Sequence, residues 1–541
     1  MRHVGVALAG LLGLADSVNS KLVETQNGMS VQGGTCETTD VNYFFSIPYA
    51  KPPLAERRYE PPEPYHVPPY GKVINGTNSP PACIQFGTGF AESGPQSEDC
   101  LYLNVWTPAS TTSDSNLPVK VWLYGGGNQG GGISNPSYDG CYSAEDSIVV
   151  SINYRLGPLG FLALSDLGLS GNYAILDQLL GMQWVQENIK SFGGDPNKVL
   201  LFGESAGAAD TFVLATRPEA PKLMKAAAME SGGGRDFATV AAAQTFQQSF
   251  FDQLNCSTPD LACARAASPS VLQAAHLVVA VEDATGVASA LNFNGSRSAW
   301  SPLVDGVVIP EQPSTVGLQV PSILGSNAVE GALFVLAAYG EKAASLTQAD
   351  YDTFLTYNFG PLAPLVNETF SLSKVFNGSV AAAVTTVVTD ASYKCAAHRG
   401  LLRAAEKGVP VWSYRFSHGP SCAWFANIPS PYVSTLGATH TSEIPFVFNM
   451  TRNMPPPDGN CTFSEAEVGL SRAMSRAWTN MAEFGVPEPD DDGDSWPLWT
   501  ADESMGVVLN DDVEVGEVDY ETCAFWNKIN DDLNKIEAVG Q

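Results

Sequence analysis

Five residues, Gly203-Glu204-Ser205-Ala206-Gly207, close the apolar run Val199-Leu200-Leu201-Phe202 and are followed by small helix formers. That order reads as a buried strand turning sharply into a helix, a strained turn that holds a serine hydroxyl proud of a sheet. Glycine is needed at 203 and 207 because Cβ atoms there would collide with backbone passing close to the turn. Ser205 is therefore the candidate nucleophile. A serine hydroxyl is weak at neutral pH, so the chemistry also requires a histidine to take its proton and a carboxylate to hold that histidine's tautomer.

Sites built on such a turn order their residues serine, acid, histidine. Only His276, His398, His418 and His440 follow Ser205. His276 and His398 stand in Ala-rich helical surroundings and read as packed or surface residues. His418 ends a strand in Ser417-His418-Gly419-Pro420, and His440 follows Gly437 with little bulk around it, so both are candidate bases. For the acid, Glu330 lies just past a strand end, where catalytic loops leave a parallel sheet. Asp305, in the turn Ser301 to Gly306, is the alternative, and Glu443 reads as a local partner in the His440 loop. Gly125-Gly126-Gly127 ends another apolar strand, and its side-chain-free amides, with the N–H of Ala206, could hold a developing oxyanion.

The elements that must position these groups are legible in outline. Apolar runs at Pro118 to Tyr124 and Ile148 to Tyr154 read as strands covered on both faces. Asp177 to Lys190 reads as a helix closed by Phe192-Gly193-Gly194, ahead of the Ser205 strand. Strand, helix, strand and helix in succession predict a parallel sheet flanked by helices. Further strands are expected at Val320 to Leu324 and Val409 to Phe416. Residues 236–292 are Ala-rich and helical in period, as for a cap over the sheet. The acidic stretch Glu488 to Asp494 reads as a solvated turn.

With 57 acidic against 28 basic residues the formal charge is −29, a surface that repels nucleic acid and anionic membranes. Met1-Arg2-His3, the short apolar run Val4 to Ala15 and small residues up to Ser20 form a secretory signal pattern over residues 1–20. Sequons at Asn75, Asn255, Asn294, Asn367, Asn377, Asn449 and Asn460 and an even count of 10 cysteines point to the same route. No later segment is apolar and long enough for a membrane span, and the tail ends without an anchor signal. The expectation is a secreted chain whose residues 21–541 form one catalytic domain; its oligomeric state is not readable.

Several segments together resemble the type-B carboxylesterase/lipase family, the cholinesterase-like α/β-hydrolases, in the manner of a secreted fungal-type carboxylesterase. They are Glu98-Asp99-Cys100-Leu101-Tyr102-Leu103-Asn104, Tyr124-Gly125-Gly126-Gly127, Asn153-Tyr154-Arg155-Leu156-Gly157, Phe192-Gly193-Gly194-Asp195-Pro196, Phe202 to Gly207 and Cys523-Ala524-Phe525-Trp526. The resemblance implies an α/β-hydrolase fold with a large, mostly parallel central sheet and helical cap insertions. It selects His440 as the base and Glu330 as the acid beside Ser205, with Gly126, Gly127 and Ala206 as the oxyanion hole and Glu204 in a supporting electrostatic role. It also implies ion pairs Arg58 with Glu98 and Arg155 with Asp177. The implied disulfides are Cys83 to Cys100, Cys256 to Cys263 and Cys395 to Cys523. Cys36, Cys141, Cys422 and Cys461 have no such guide, and Cys36 with Cys141 and Cys422 with Cys461 is the pairing adopted.

The function implied is a serine carboxylic ester hydrolase acting through an acyl-enzyme on a small-molecule ester, with no cofactor and no metal. Interfacial lipases and acyltransferases share this machinery. Adhesion proteins of the family lack the nucleophile, and the presence of Ser205, Glu330 and His440 argues against that class. A cholinesterase is disfavoured because the Cys83 to Cys100 loop holds no tryptophan to stack on a quaternary ammonium. The same loop is short, with only Ile84, Phe86 and Phe90 as large apolar residues, too little area for a lipid-seeking lid. Soluble esters of short to medium acyl length are the expected substrates. Asn128-Gln129 follows the glycine triplet where relatives often carry an aromatic residue, so the acyl pocket does not carry over.

Overall fold

Val119 to Leu123, Ile148 to Ile152 and Val199 to Phe202 lack polar alternation because neither face of these strands meets water; their apolar side chains are buried. A computed structural model describes residues 21–68, 71–87, 90–92, 94–256, 260–283, 300–488 and 496–539. The expected leader 1–20, the sequon at Asn294 and most of the acidic turn lie outside the described residues.

In chain order the strands are β1 (Leu22–Glu24), β2 (Met29–Gln32), β3 (Gly34–Thr35), β4 (Val41–Pro48), β5 (Lys72–Asn75), β6 (Tyr102–Pro108) and β7 (Leu117–Leu123). There follow β8 (Ile148–Ile152), β9 (Gly194–Glu204), β10 (Ala226–Glu230), β11 (Ser322–Asn327), β12 (Val411–Phe416), β13 (Met505–Leu509) and β14 (Val513–Glu517). β1, β2 and β5 make a small sheet. The other strands form one 11-stranded sheet in the order β14-β13-β12-β11-β10-β9-β7-β8-β6-β4-β3. From β8 to β13 neighbours run parallel, while β3, β4, β6 and β14 pair antiparallel at the two edges. This is the α/β-hydrolase architecture, mostly parallel at its centre.

Register brings the chemistry to one edge. Leu123 pairs with Gly203, Glu204 with Glu230, and Glu230 with Gly325. The carboxyl ends of β7, β9, β10 and β11 therefore finish level, and the loops that follow them share one rim.

Element limits differ from the sequence reading where pairing overrides local signals. The helix before β9 begins at Tyr173 rather than Asp177, and β9 itself begins at Gly194. β11 runs on through Gly325-Ser326-Asn327, past the expected strand end at Leu324, because these residues pair with Tyr414, Arg415 and Phe416 of β12. Gly325 is glycine for packing: a Cβ there would lie 2.2 Å from the Tyr414 ring. In the expected cap region, helices Val240–Gln253, Leu261–Ala266 and Pro269–Asp283 are present. They enter the main core through Phe250, Phe251, Ala264 and Leu272; residues 257–259 and 284–292 lie outside the described residues.

All ten cysteines are paired: Cys36–Cys141, Cys83–Cys100, Cys256–Cys263, Cys395–Cys523 and Cys422–Cys461. Arg155 grips buried Asp177 through two bonds of 2.8 and 2.7 Å, and Arg58 grips Glu98. Removing one partner of such a pair strands a buried charge. Among the described residues no helix is long and apolar enough to cross a membrane. With five disulfides, this is compatible with an extracellular protein.

Candidate active site

Ser205 occupies the turn between β9 and the helix Ala206–Ala215, with φ 56° and ψ −120°. A non-glycine residue is held in that conformation only by its surroundings. Here the Ser205 N–H donates to Glu230 O at 2.9 Å, and its carbonyl accepts from the Ala209 N–H at 3.0 Å. The flanking glycines admit the close passage of β7: a Cβ on Gly207 would lie 2.0 Å from Leu123 O, and one on Gly203 would lie 2.6 Å from Gly207.

His440 reaches the hydroxyl from a separate loop. Its Nε2 is 2.8 Å from Ser205 Oγ, and its Nδ1 is 2.7 Å from Glu330 Oε2. Glu330 follows β11, and its other oxygen accepts the Asn327 N–H at 2.7 Å. The acid and histidine loops are sewn together: Asn327 Nδ2 donates to Thr439 O at 2.7 Å, and Leu333 N–H donates to Thr439 Oγ1 at 2.8 Å. Phe334 and Tyr393 flank the imidazole with ring centroids at 4.9 and 4.7 Å. They leave it 1% exposed. A hydroxyl, imidazole and carboxylate in this line can make a serine nucleophilic and return its proton to a leaving group.

Three more carboxyl groups surround this line. Glu204 Oε1 lies 3.2 Å from His440 Nε2. Burial, together with Glu443, Glu330 and Glu230, pushes the Glu204 carboxyl well up, and Arg235 opposes the shift. Glu230 is pushed up by burial and by Glu443, although Trp478 Nε1 donates to it at 2.7 Å. Glu443 is pushed up to about 8, chiefly by burial and then by Glu330, and accepts from Asn327 Nδ2. Glu443 is thus tied to β11 rather than to its own loop alone. These groups favour their neutral forms because the site desolvates charge and crowds like charges.

The glycine triplet loops past the serine. Gly125 must lack a side chain, since a Cβ would lie 2.7 Å from Glu204 Oε2 and 2.9 Å from Ser205 Cβ. Gly126 and Gly127 have φ 110° and 64°, and the loop closes on itself through Gln129 and Gly130 N–H groups donating to Gly126 O at 3.1 and 3.0 Å. Among the described residues, the N–H groups of Gly126, Gly127 and Ala206 have no hydrogen-bond acceptor. Ala206 is the first residue of its helix, where such donors are free to face an anion.

The alternatives lie elsewhere. Asp305 accepts the N–H groups of Val307 and Ile309 in its own turn. His418 lies between Glu467 and Asp511. His276 accepts from Trp300 Nε1, and His398 stacks on Tyr520; burial pushes both down to about 4. Among the described residues no group of three or more His, Cys, Asp or Glu is arranged to hold a metal. Sequence reasoning missed Phe334, Tyr393 and Glu230, whose places depend on contacts across the fold and carry no local signal.

The chain matches the model of the carboxylesterase family over residues 19–526. It is 30% identical over 524 residues to fumonisin B1 esterase of Sphingopyxis macrogoltabida, spanning 93% of this chain and 88% of that protein. It is 32% identical over 520 residues to para-nitrobenzyl esterase of Bacillus subtilis (strain 168), spanning 92% and 96%. With cocaine esterase of Homo sapiens it shares 33% identity over 521 residues, 90% of this chain and 87% of that one.

Proposed function

We propose, on the premise that this chain belongs to the carboxylesterase family and is a serine ester hydrolase, that Ser205, His440 and Glu330 carry its reaction. The observation that supports this most is His440 bridging Ser205 Oγ and Glu330 Oε2 at 2.8 and 2.7 Å. Ser205 Oγ attacks the ester carbonyl carbon as its proton passes to His440 Nε2, and Glu330 stabilises the resulting imidazolium. The Gly126, Gly127 and Ala206 N–H groups hold the oxyanion. Collapse of the tetrahedral species expels the alcohol, which takes the proton from His440. Water, giving a proton to His440 Nε2, then attacks the acyl carbon; the bond to Ser205 Oγ breaks as Ser205 takes that proton back, and the acid leaves. Glu204, whose carboxyl burial and the neighbouring carboxyl groups push up, is biased away from adding a competing negative charge beside His440.

The substrates are small-molecule esters, and we read them as soluble, with short to medium acyl chains. The relatives are named for unlike compounds, so their names choose no substrate for this chain. The Cys83–Cys100 loop supports the reading. Gln85 Nε2 donates to Cys83 O and Gly131 O at 2.7 and 3.0 Å, and Phe86 N–H donates to Gln129 O at 2.7 Å. Ile84 and Phe86 are buried, so this part of the loop is fastened to the glycine loop with its apolar residues already packed. The disulfides and the signal pattern of residues 1–20 support a secreted protein.

A panel of chromogenic esters tests the proposal. Rate against concentration rises smoothly through the solubility limit, and short to medium acyl chains are preferred. A jump in rate once droplets form, with preference for long-chain triglycerides, overturns the substrate assignment.

A further inference from the structure

The helix that begins after Ser205 carries an acidic side chain that the reaction does not use. Asp210 is completely buried. Asn128 Nδ2 donates to Asp210 Oδ1 at 3.1 Å, and Gln178 Nε2 donates to Asp210 Oδ2 at 2.6 Å. Asn128 follows Gly126 and Gly127 directly, and Gln178 belongs to the helix Tyr173–Asn188. One carboxylate therefore joins the glycine loop to the helix that follows the nucleophile and to the helix beside it.

The amide orientations indicate what holds them. Asn128 Oδ1 and Gln178 Oε1 are both buried without a hydrogen-bond partner, so each amide turns its donor to Asp210 and leaves its acceptor unused. Only a group accepting on both oxygens specifies that arrangement. Asn128 has φ 57°, a left-handed conformation that asparagine tolerates. Its carbonyl accepts the Gly157 N–H at 2.7 Å, which anchors the backbone while the side chain reaches Asp210. The hydrogen bonds inside the loop, from Gln129 and Gly130 to Gly126 O, close the turn but do not connect it to Ser205. Burial pushes the Asp210 carboxyl up to about 7, and the two amide hydrogen bonds oppose that shift.

We propose that Asp210, acting through Asn128, sets where the Gly126 and Gly127 amides stand relative to Ser205, which makes Asp210 and Asn128 positioning residues for the oxyanion. The inference rests on the reaction proposed above. Asp210 lies in the helix Ala206–Ala215, which starts at the residue after Ser205 and holds the Ser205 carbonyl through the Ala209 N–H at 3.0 Å. A tie to Asp210 therefore constrains the turn that carries the nucleophile, and a displacement of about 1 Å in such a constellation costs about a hundredfold in rate. The Asn128 found where an aromatic residue is often present in relatives is thus half of a paired feature.

The test is Asn128→Asp, which sets two carboxylates face to face, alone and combined with Asp210→Asn. In the double variant the amide introduced at position 210 can donate its N–H to the carboxylate introduced at position 128, while its oxygen still accepts from Gln178. At about pH 8 the single variant loses roughly 10- to 100-fold in kcat with KM within about threefold. The double variant recovers to within about threefold of wild type. If Asn128→Asp does not fold, Asn128→Gly keeps the backbone conformation, and a loss of about tenfold in kcat at constant KM is the expected result. Wild-type kcat in whichever single variant folds, or a double variant no better than Asn128→Asp alone, overturns the inference. Ser205→Ala, assayed in parallel, separates the two claims: an inactive Ser205→Ala with a fully active Asn128→Asp refutes the positioning role alone, whereas an active Ser205→Ala refutes the reaction beneath it.

Discussion

Two histidines in this molecule each lie between two carboxyl groups at nearly the same distances. His440 has Glu330 at 2.7 Å and Glu204 at 3.2 Å, and His418 has Asp511 at 2.9 Å and Glu467 at 3.2 Å. What differs is how the carboxylates are themselves satisfied. Glu467 accepts from Ser421 N at 2.8 Å, Ser421 Oγ at 2.7 Å and Ser464 N at 2.8 Å. Burial would raise its carboxyl, but the bonds from His418 and these donors win and hold it at about 2. Glu467 is a fixed anion, and together with Asp511 it pushes the His418 imidazole up, toward its cationic form. Glu204 Oε1, by contrast, is buried without a hydrogen-bond partner, and its carboxyl is pushed well up. His440 is therefore left with one well-oriented acid and a serine hydroxyl. The same residue types give an ion pair in one place and, in the other, the arrangement we propose for proton transfer, and the donors around the acids decide which.

The largest separation between the two regions appears in turnover. Ser205→Ala and His440→Ala each lower kcat by roughly 10⁶, because a triad fails as a unit, while His418→Ala leaves kcat within a few-fold. Steady-state kinetics on folded variants checks this, and labelling by a serine-reactive organophosphate falls on the peptide containing Ser205. Reversal of the two histidine results breaks the assignment. Next in size is the acid: Glu330→Gln costs about 10⁴ in kcat, and Asp305→Asn costs a few-fold at most.

Stability sharpens the contrast from the other side. Glu467→Ala removes the acceptor for three donors and destabilises by about 2 to 3 kcal/mol, read as a lowered denaturation midpoint. Burial alone would lower the His418 value, but Glu467 and Asp511 raise it above 6.5. Its stabilisation is therefore full below about 6.5 and fades as pH rises through the folded-state value. Glu467, lowered from 4.5, contributes above that value and loses its contribution as pH falls toward about 2. The pair is strongest between about 4.5 and 6.5, so His418→Ala lowers Tm more at about pH 5.5 than at about pH 9. An equal loss at both refutes the ion pair. The smallest effect belongs to Glu204→Gln: burial and the surrounding carboxyl groups push the native carboxyl toward its neutral form, so the amide lowers kcat by about tenfold or less near pH 7, and a loss approaching that of Glu330→Gln breaks the comparison.

Local sequence marked the turn at Ser205, and contacts with Glu230 O and the Ala209 N–H hold its strained conformation. An apolar run ending in Gly203-Glu204-Ser205-Ala206-Gly207 permits few backbone paths, and the glycines stand where a Cβ would meet Leu123 O or Gly207. The buried strands were equally plain, because covering both faces of a sheet requires uninterrupted apolar residues, and family resemblance then chose His440 and Glu330. Strand ends were less legible: the strand expected to end at Leu324 runs on through Gly325-Ser326-Asn327 because β12 supplies its pairing. Only the tertiary structure decided which histidine faces the hydroxyl, since His440 is 235 residues from Ser205. The roles of Asn128, Asp210, Glu443 and Glu467 were decided in the same way. A carboxyl group's charge depends on burial and on the donors that reach it, and those donors come from strands and helices far away in the chain, where no spacing records them.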